Sequence, residues 1–507
     1  MTKVLKAGGL WLLISIIVWV VSMWRWQGAS DVSTGQIVVQ LGVLPLALTL
    51  VFIGVLFGVQ RLRQIAVHAD LPAAPPASPD ASASFGSDDP HPRGHAAWLL
   101  ADAVTLTLGN DADTAWRSAR TGVHRPGLDA NLKDQDDLPV FSARVTDLDL
   151  DPWWSGEPDL PDCLKRAHVV RVLQLLSPSL RQILDALGSL AWSSEDINSN
   201  LHTERQDSFA MPNHLSGVAQ PARGGLNQAE HRLQLAVRLI WPQHWQPDVR
   251  DAATEWVRRQ SGVLFDWADR HQVQDVRWQV GAVEGEQGWW REWDQVLSQM
   301  GQEMRPSLLM IFAADSALDD EAVARMQARG ELFTAQHQTG RIPGEGSVGL
   351  MFANRAAADL LGSQQPDMLG VSPSIRARRE RSADALGRSG CGALSDLLTR
   401  LHTTWPGEAS ALKVISDADH RASRTAELYE AVLAAMPEAD PMTSVIRLGD
   451  ACGDLGVVRW MAPLALAAAA VRATEHPCGT AWVAHVHDPH HRTVLAVTST
   501  ELSARLA

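Results

Sequence analysis

The chain has 507 residues, of which 46% are hydrophobic, and a formal net charge of −14 from 44 basic and 58 acidic residues. This length suits a membrane segment plus one large domain or two medium ones. Because no basic excess marks a face for phosphates, nucleic acid is excluded as a partner. The cysteines lie far apart without a Cys-x-x-Cys pair, which argues against a zinc knuckle or disulfide framework and favours a reducing compartment. They are Cys163, Cys391, Cys452 and Cys478.

Two long apolar runs open the chain, at residues 7–24 and 37–59. Each is long enough to cross a bilayer as a helix. Lysines precede the first run and arginines follow the second, so the positive-inside rule places both termini in the cytoplasm. Residues 1–66 are therefore predicted to form two transmembrane helices. The alternative is a pair of apolar helices buried in a soluble core.

Residues 67–95 are rich in proline, alanine, serine and aspartate and nearly lack bulky apolar side chains. Such a segment cannot bury enough surface to fold, and we predict a disordered tether. The globular part is predicted to begin near Ala96, with a first α/β half over 96–355, a connecting region over 356–405 and a second α/β half over 406–507.

Strand-like and helix-like segments alternate through the globular part. Strands are predicted at 104–108, 234–241, 276–280, 308–313, 348–353, 411–416 and 444–448, followed by a hairpin of 482–487 and 493–499. Helices are predicted at 164–187, with a break near Pro178, and at 249–260, 289–300, 319–329, 394–401, 424–435 and 461–473. Residues 364–382 are predicted as a loop whose charges stay exposed. Alternation of this kind indicates a mixed sheet with helices on its faces.

The sequence RIPGEGSVGLMFA, residues 341–353, is a glycine-rich turn that leads into an apolar run. The residues alone leave three interpretations open: a loop that holds a phosphate, a nucleophile turn, or the entry to a buried strand. Ser347 does not fit a nucleophile elbow, because Glu345 occupies the position where that motif needs glycine. The chain has no P-loop lysine, and no GxGxxG motif follows a predicted strand and opens a helix. No cofactor is therefore expected.

Histidines gather in WVAHVHDPHHR near the C-terminus. His485 and His487 alternate along a predicted strand and so share one face, where two imidazoles could ligate zinc or copper. The preferred interpretation is a polar strand edge beside a solvated turn, with no metal. The tryptophans at 289, 290 and 293 have helical spacing and are predicted to lie in the core or in an interface.

Two segments, residues 308–354 and 449–470, resemble β-ketoacyl synthases of the thiolase-like superfamily. The first is similar to a strand, short helix and Pro-Gly-Glu-Gly turn that close the first half of those proteins. The second, GDACGDLGVVRWMAPLALAAAA, is similar to their glycine-rich turn and alanine-rich helix. The resemblance implies a thiolase-like fold of two related α/β halves, with mixed sheets covered by helices. It also implies that Pro343, Gly344, Glu345 and Gly346 form a structural turn with Glu345 at its tip.

The resemblance also implies a catalytic cysteine between the strands at 276 and 308, but no cysteine occurs there. A family histidine is expected after Gly453, where this chain has Asp454, which cannot act as a neutral imidazole donor. His420 lies near the position of the other family histidine without its glycine frame. Asp454 and His420 are thus degenerate active-site positions, and we expect no enzyme activity.

The whole layout is similar to bacterial membrane-anchored proteins of unassigned domain type that accompany type VI secretion lipase effectors. That resemblance implies a non-catalytic adaptor in the bacterial inner membrane, with an effector protein and a spike protein of the secretion apparatus as partners. The oligomeric state stays open. The alternative is a divergent membrane-associated enzyme that acts on acyl thioesters.

The membrane topology can be tested by cysteine accessibility labelling. A cysteine introduced at Ser30, in the short loop between the apolar runs, should react with an impermeant reagent from outside the cell. A cysteine at Ser82, in the linker, should react only after the membrane is opened. The reverse pattern would contradict a cytoplasmic globular domain.

Overall fold

The computed structural model describes residues 94–146, 148, 160–190, 192, 233–273, 276–281, 285–361, 365, 367–385, 390–407, 411–473 and 478–499. The predicted transmembrane hairpin and nearly all of the predicted linker lie outside these residues. Among the described helices, none combines the length and apolar character needed to cross a bilayer.

The described residues form alternating strands and helices. The strands are β1 Ala97–Thr105, β2 Gly127–Lys133, β3 Pro139–Ser142, β4 Gln234–Ile240, β5 Val276–Gly281, β6 Ser307–Ser316, β7 Glu345–Ala353, β8 Leu369–Val371, β9 Ile375–Arg378, β10 Lys413–Ser416, β11 Val445–Arg447, β12 Thr480–His485 and β13 His491–Ser499. The helices are α1 Ala112–Thr121, α2 Ala167–Ser189, α3 Pro247–Gln260, α4 Gly262–Arg270, α5 Gly285–Gln302, α6 Asp320–Arg329, α7 Arg355–Leu361, α8 Gly392–Thr404, α9 Ala422–Ala435, α10 Pro441–Ser444, α11 Leu448–Cys452 and α12 Ala462–Arg472.

One large mixed sheet runs through the fold in the order β11-β10-β12-β13-β8-β1-β7-β6-β4-β5, with β9 paired to β13. Its two halves have the same topology. In the first half β4 is parallel to β5 and β6, β6 is antiparallel to β7, and β7 is antiparallel to β1. In the second half β10, β11, β12, β13 and β8 repeat that pattern in the same chain order. The predicted mixed α/β architecture of two related halves is confirmed.

Three apolar clusters show how helices cover this sheet. Successive side chains of a strand point to opposite faces of the sheet. In β6, Met310 and Phe312 pack with α2, α3 and α4, whereas Ile311 packs with α5 on the other face. In β12, Trp482 packs with α8 and α9, whereas Val483 packs with α12. Helices α5 and α12 therefore share one cluster that contacts both halves and forms a middle layer.

The predicted break at Pro178 is wrong, because α2 continues through this proline. A proline inside a helix costs roughly 3 kcal/mol. The helix tolerates it because one face is buried against the first half of the sheet. Side-chain hydroxyls also bond to nearby carbonyls: Ser177 Oγ donates to Leu173 O at 2.9 Å, and Ser347 Oγ donates to Leu175 O at 2.6 Å.

The prediction of a loop over 364–382 is wrong in part. Strand β8 lies there and joins the two halves, through antiparallel pairing with β1 and β13. Strand β9 pairs with β13. Arg379 is buried beside Glu427, so its charge is not solvated. The strand predicted at 104–108 also differs, since β1 ends at Thr105. A strand as short as β8 cannot be predicted from the sequence, because three residues cannot show an alternation of apolar and polar side chains.

Within the glycine-rich turn, Glu345 does not lie at the tip, contrary to the prediction. Glu345 begins β7 and is fully buried. Its carboxylate accepts hydrogen bonds from Arg171 Nη2 at 2.6 Å, from Val145 N at 2.9 Å and from Ser316 Oγ at 2.9 Å. Glu345 therefore links the segments that contain Val145, Arg171 and Ser316 to the start of β7.

The turn also docks on the second half. Asp454 N donates to Ile342 O at 2.7 Å. A Cβ at Gly344 would lie 2.1 Å from the carbonyl oxygen of Cys452. Only glycine allows this approach of two backbones.

Substitution Gly344→Ala should therefore destabilise the fold by roughly 1–3 kcal/mol or more, because backbone must move to admit the methyl group. Urea unfolding of the full-length chain, followed by tryptophan fluorescence, would measure the loss. Gly188→Ala is the matched control: an added Cβ there meets nothing within 4 Å in α2, so stability should be unchanged or slightly raised. Equal stability of the two variants would contradict the proposed docking contact.

Candidate functional site

A cluster of buried and half-buried charged and histidine side chains lies in the middle layer. It gathers the first turn of α5, the glycine-rich turn, the residues that follow β10 and β12, and the segment between α11 and α12. We call it the central cluster. Its members are Glu286, Arg341, Asp417, Asp419, Asp454, Arg459, His485 and His487.

Asp417 and His485 are brought together by sheet topology. Strands β10 and β12 are parallel neighbours, so residues that follow them meet at one edge. Asp417 accepts a hydrogen bond from Val486 N at 2.7 Å, and one of its oxygens lies 3.2 Å from His485 Nδ1. Burial alone would raise the pKa of Asp417, but His485 and the backbone donor lower it to about 2. Asp417 is thus a fixed carboxylate that orients an imidazole.

Asp454 is held between two guanidinium groups. Arg459 Nη1 donates to it at 2.9 Å, and Arg341 Nη1 donates at 3.4 Å. Burial opposes ionisation, yet Arg459 above all keeps the pKa of Asp454 well below its usual range. Asp454 is therefore a charged, paired group without an available proton.

Glu286 lies in the first turn of α5, within the interval where the resemblance implies a cysteine. It is 5% exposed, and neither carboxylate oxygen has a hydrogen-bond partner among the described residues. Burial and the nearby carboxylate of Asp417 raise the pKa of Glu286 to about 8. One turn later, Trp290 packs on His485 with ring centroids 4.6 Å apart. Glu286 therefore carries its proton near neutral pH.

The prediction of a polar strand edge for His485 and His487 is wrong. Strand β12 lies inside the sheet, and both imidazoles are buried. Burial and the charge of Arg459 lower the pKa of His487 to about 4. Across the described ranges, no group of three or more histidine, cysteine or carboxylate side chains is arranged to hold a metal ion.

His420, the other predicted position, lies outside the central cluster. Its Nε2 is 3.3 Å from Gln338 O, and its ring packs edge-on against Phe333 with centroids 5.0 Å apart. Asp417 and Asp419, two positions on the same segment, point into the cluster instead.

The central cluster is tightly packed. The space between Asp417, Asp454, Arg459 and His487 leaves no volume that a water molecule could occupy. A separate cleft of about 160 Å³ reaches Asp454 from outside and is lined by basic side chains that include Arg325 and Arg341. A small solute could approach Asp454, but an acyl chain could not reach His485.

No activated nucleophile accompanies these groups in the described residues. No hydroxyl or thiol there is hydrogen-bonded to a side chain of the central cluster. Burial raises the pKa of the Cys452 thiol to about 12 and that of Cys478 to about 11. Both thiols are therefore protonated and inert near neutral pH. Among the described residues, the arrangement can hold charge and share protons.

Sequence reasoning found Asp454 but missed Glu286, Asp417 and Arg459. A signal for Asp417 was present: SDAD follows one buried strand and HVHD ends another. Such pairs meet at one edge only if the strands are parallel neighbours, and the sequence does not show that pairing. Nothing in the sequence around Glu286 distinguishes it from an exposed glutamate in a first helical turn.

Solved structures of ketosynthases are similar to this chain. The ishigamide ketosynthase/chain length factor is 15% identical, with 80% of this chain and 99% of that chain covered and a TM-score of 0.46. An oxazolomycin ketosynthase domain of Streptomyces albus JA3453 is 10% identical, with 80% and 74% covered and a TM-score of 0.45. A type III pentaketide synthase from Neurospora crassa is 10% identical, with 80% and 100% covered and a TM-score of 0.42. No family model matches the chain, and no curated protein matches it. At sequence identities of 10–15%, these similarities do not indicate an activity for this chain.

The protonated Glu286 predicts a pH-dependent stability. Between pH about 4.5 and about 8 the folded chain keeps a proton that the unfolded chain releases, so this residue lowers stability progressively as the pH rises through that window. Glu286→Gln removes the titration. The variant should match the parent chain at pH 4.5 and exceed its stability at pH 8.5, by about 1.4 kcal/mol for each unit of pKa difference.

Urea unfolding at both pH values would measure this difference. Glu438→Gln, on an exposed residue, is the matched control and should change stability equally little at both pH values. A Glu286→Gln variant that is less stable at pH 8.5 would show that the carboxylate is needed in its charged form.

Proposed function

We propose that the chain is a non-catalytic, thiolase-like scaffold that is tethered to the bacterial inner membrane and presents an effector protein for type VI secretion. One observation carries the non-catalytic part: where a synthase needs a nucleophile and an acyl cavity, this chain has the filled, charge-paired central cluster. A rigid α/β unit without its reaction keeps surfaces that can bind a protein.

The adaptor part of the proposal rests on the sequence resemblance and on the predicted tether. A flexible linker raises the local concentration of a bound client near the membrane without fixing its orientation. The acidic chain suits a protein client better than a nucleic acid.

A divergent acyl-thioester enzyme is the second candidate. The observation that favours it is a proton-transfer set, formed by the Asp417–His485 pair and the protonated Glu286. Against it, His485 is 0% exposed and no hydroxyl or thiol among the described residues contacts the set.

An acyl-thioester probe separates the two candidates. The full-length chain should take up no label under conditions in which an active ketosynthase is labelled. Label that a single serine or cysteine substitution abolishes would overturn the non-catalytic proposal.

The adaptor part needs its own experiment. A lipase-type effector and its spike protein, produced together with the full-length chain, should co-purify with it. The matched control is residues 1–95 alone, which carry the predicted anchor and linker and should retain neither protein. Equal retention by the control, or none by the full chain, would count against an adaptor.

A further inference from the structure

A second site lies between the two halves, away from the central cluster. Here a cleft of about 450 Å³ opens between the last turn of α1 and the amino ends of β10 and β11. Its volume falls within the range of roughly 300–1,000 Å³ that is typical of small-molecule sites. The side chains that matter for its chemistry are Arg120, Arg125, Lys413, Tyr429, Arg447 and Asp450.

The cleft is strongly cationic although the whole chain carries a net charge of −14. Four basic side chains line it against a single carboxylate. That carboxylate, Asp450, serves two of them at once: Arg447 Nη2 lies 2.7 Å from Asp450 Oδ2, and Arg125 Nη2 lies 3.5 Å from the same oxygen. One negative charge therefore draws two guanidinium groups to one place and leaves the cleft with excess positive charge.

Lys413 adds a cation that has no acidic partner among the described residues. Its ammonium donates to the carbonyl oxygen of Thr443 at 3.1 Å, which is a neutral acceptor. Partial burial lowers the pKa of Lys413, since the charged form has lost part of its hydration. An ammonium in this state gains from a bound anion more than a fully solvated lysine does.

Apolar side chains accompany the charges. Leu108, Val445 and Ile446 line the cleft, together with the ring of Tyr429. An anion with a small apolar or aromatic portion would cover this surface while its charge meets the basic side chains.

We propose that this cleft binds a small phosphate-bearing anion, either a diphosphate or a phosphate monoester with a compact apolar group. Arg125, Lys413 and Arg447 face a single carboxylate, and this excess of positive charge fits a ligand with at least two negative charges better than a monocarboxylate. A phosphate group also accepts the several N–H donors of neighbouring arginines. The site does not depend on the non-catalytic scaffold proposed above, because it shares no residue with the central cluster.

Isothermal titration of the full-length chain with pyrophosphate, and separately with phenyl phosphate, tests this proposal. Both should bind at about 50 mM salt and bind more weakly at about 500 mM, since ionic strength screens partly exposed charges. Tighter binding of phenyl phosphate would show that the apolar floor contributes. The absence of binding by both compounds at low salt would overturn the proposal.

Arg125→Glu reverses a charge in the cleft at a side chain that is 53% exposed, so the fold should tolerate it. It should weaken pyrophosphate binding at least tenfold. Arg355→Glu is the matched control, because it makes the same change in net charge on α7 at a side chain that is 80% exposed. Equal weakening in both variants would mean that binding follows net charge alone and would refute a site. Lys413→Gln gives an independent measurement and should also weaken binding.

A final experiment measures binding of a poly-glutamate peptide and its competition with pyrophosphate. If Arg125→Glu abolishes binding of the peptide and pyrophosphate does not compete with it, the cleft is a docking surface for an acidic protein segment, and the phosphate proposal fails. Competition by pyrophosphate supports the proposal.

Discussion

The ion pairs around Asp454 are the interaction on which the centre of this fold depends. A carboxylate taken out of water loses several kcal/mol of hydration unless charges and donors replace it. Arg459 and Arg341 supply that replacement from two different parts of the chain. Arg341 reaches Asp454 only because the glycine-rich turn docks its backbone on the segment around Cys452 and Asp454. The turn and the ion pairs therefore stabilise each other, and both hold the first half of the fold against the second.

The glycines in this contact are required by geometry. Gly344 approaches the carbonyl of Cys452, and Gly453 has a φ of 66° that other residues rarely adopt. A larger residue at either place would separate Arg341 from Asp454 and leave a buried charge half paired. Removal of one partner of a buried pair generally costs about 3–5 kcal/mol. Backbone shape and electrostatics at the centre are thus one constraint, and a change in either one disturbs the other.

The sequence allowed much of the fold to be predicted, because long periodic segments such as β6, α6 and the closing hairpin carry clear local signals. The acidic first turn and the glycine after Arg329 marked α6, and Asp319 caps it by accepting from Ala322 N at 2.9 Å. Strands β8 and β9 were missed because each is short and is defined by its partners in the sheet. Asp454 was singled out through the resemblance to β-ketoacyl synthases and not through a local signal, whereas its neighbours come from segments that only the tertiary fold brings together.

The ion pairs in the central cluster also affect the shape of surface clefts that both halves line. A hydrophobic filling would have sealed the space between the halves at lower electrostatic cost, since buried ion pairs are often no more stable than apolar replacements. Charged groups in this position instead impose directional contacts, with one set of partners for each residue. They fix the relative position of the two halves, and therefore also the shape of clefts that both halves line. The cationic cleft between α1 and β10 is such a surface, because Arg125 comes from the first half and Lys413 and Arg447 come from the second. The spacing of its charges is set by the same packing that fills the space between Asp417, Asp454 and His487.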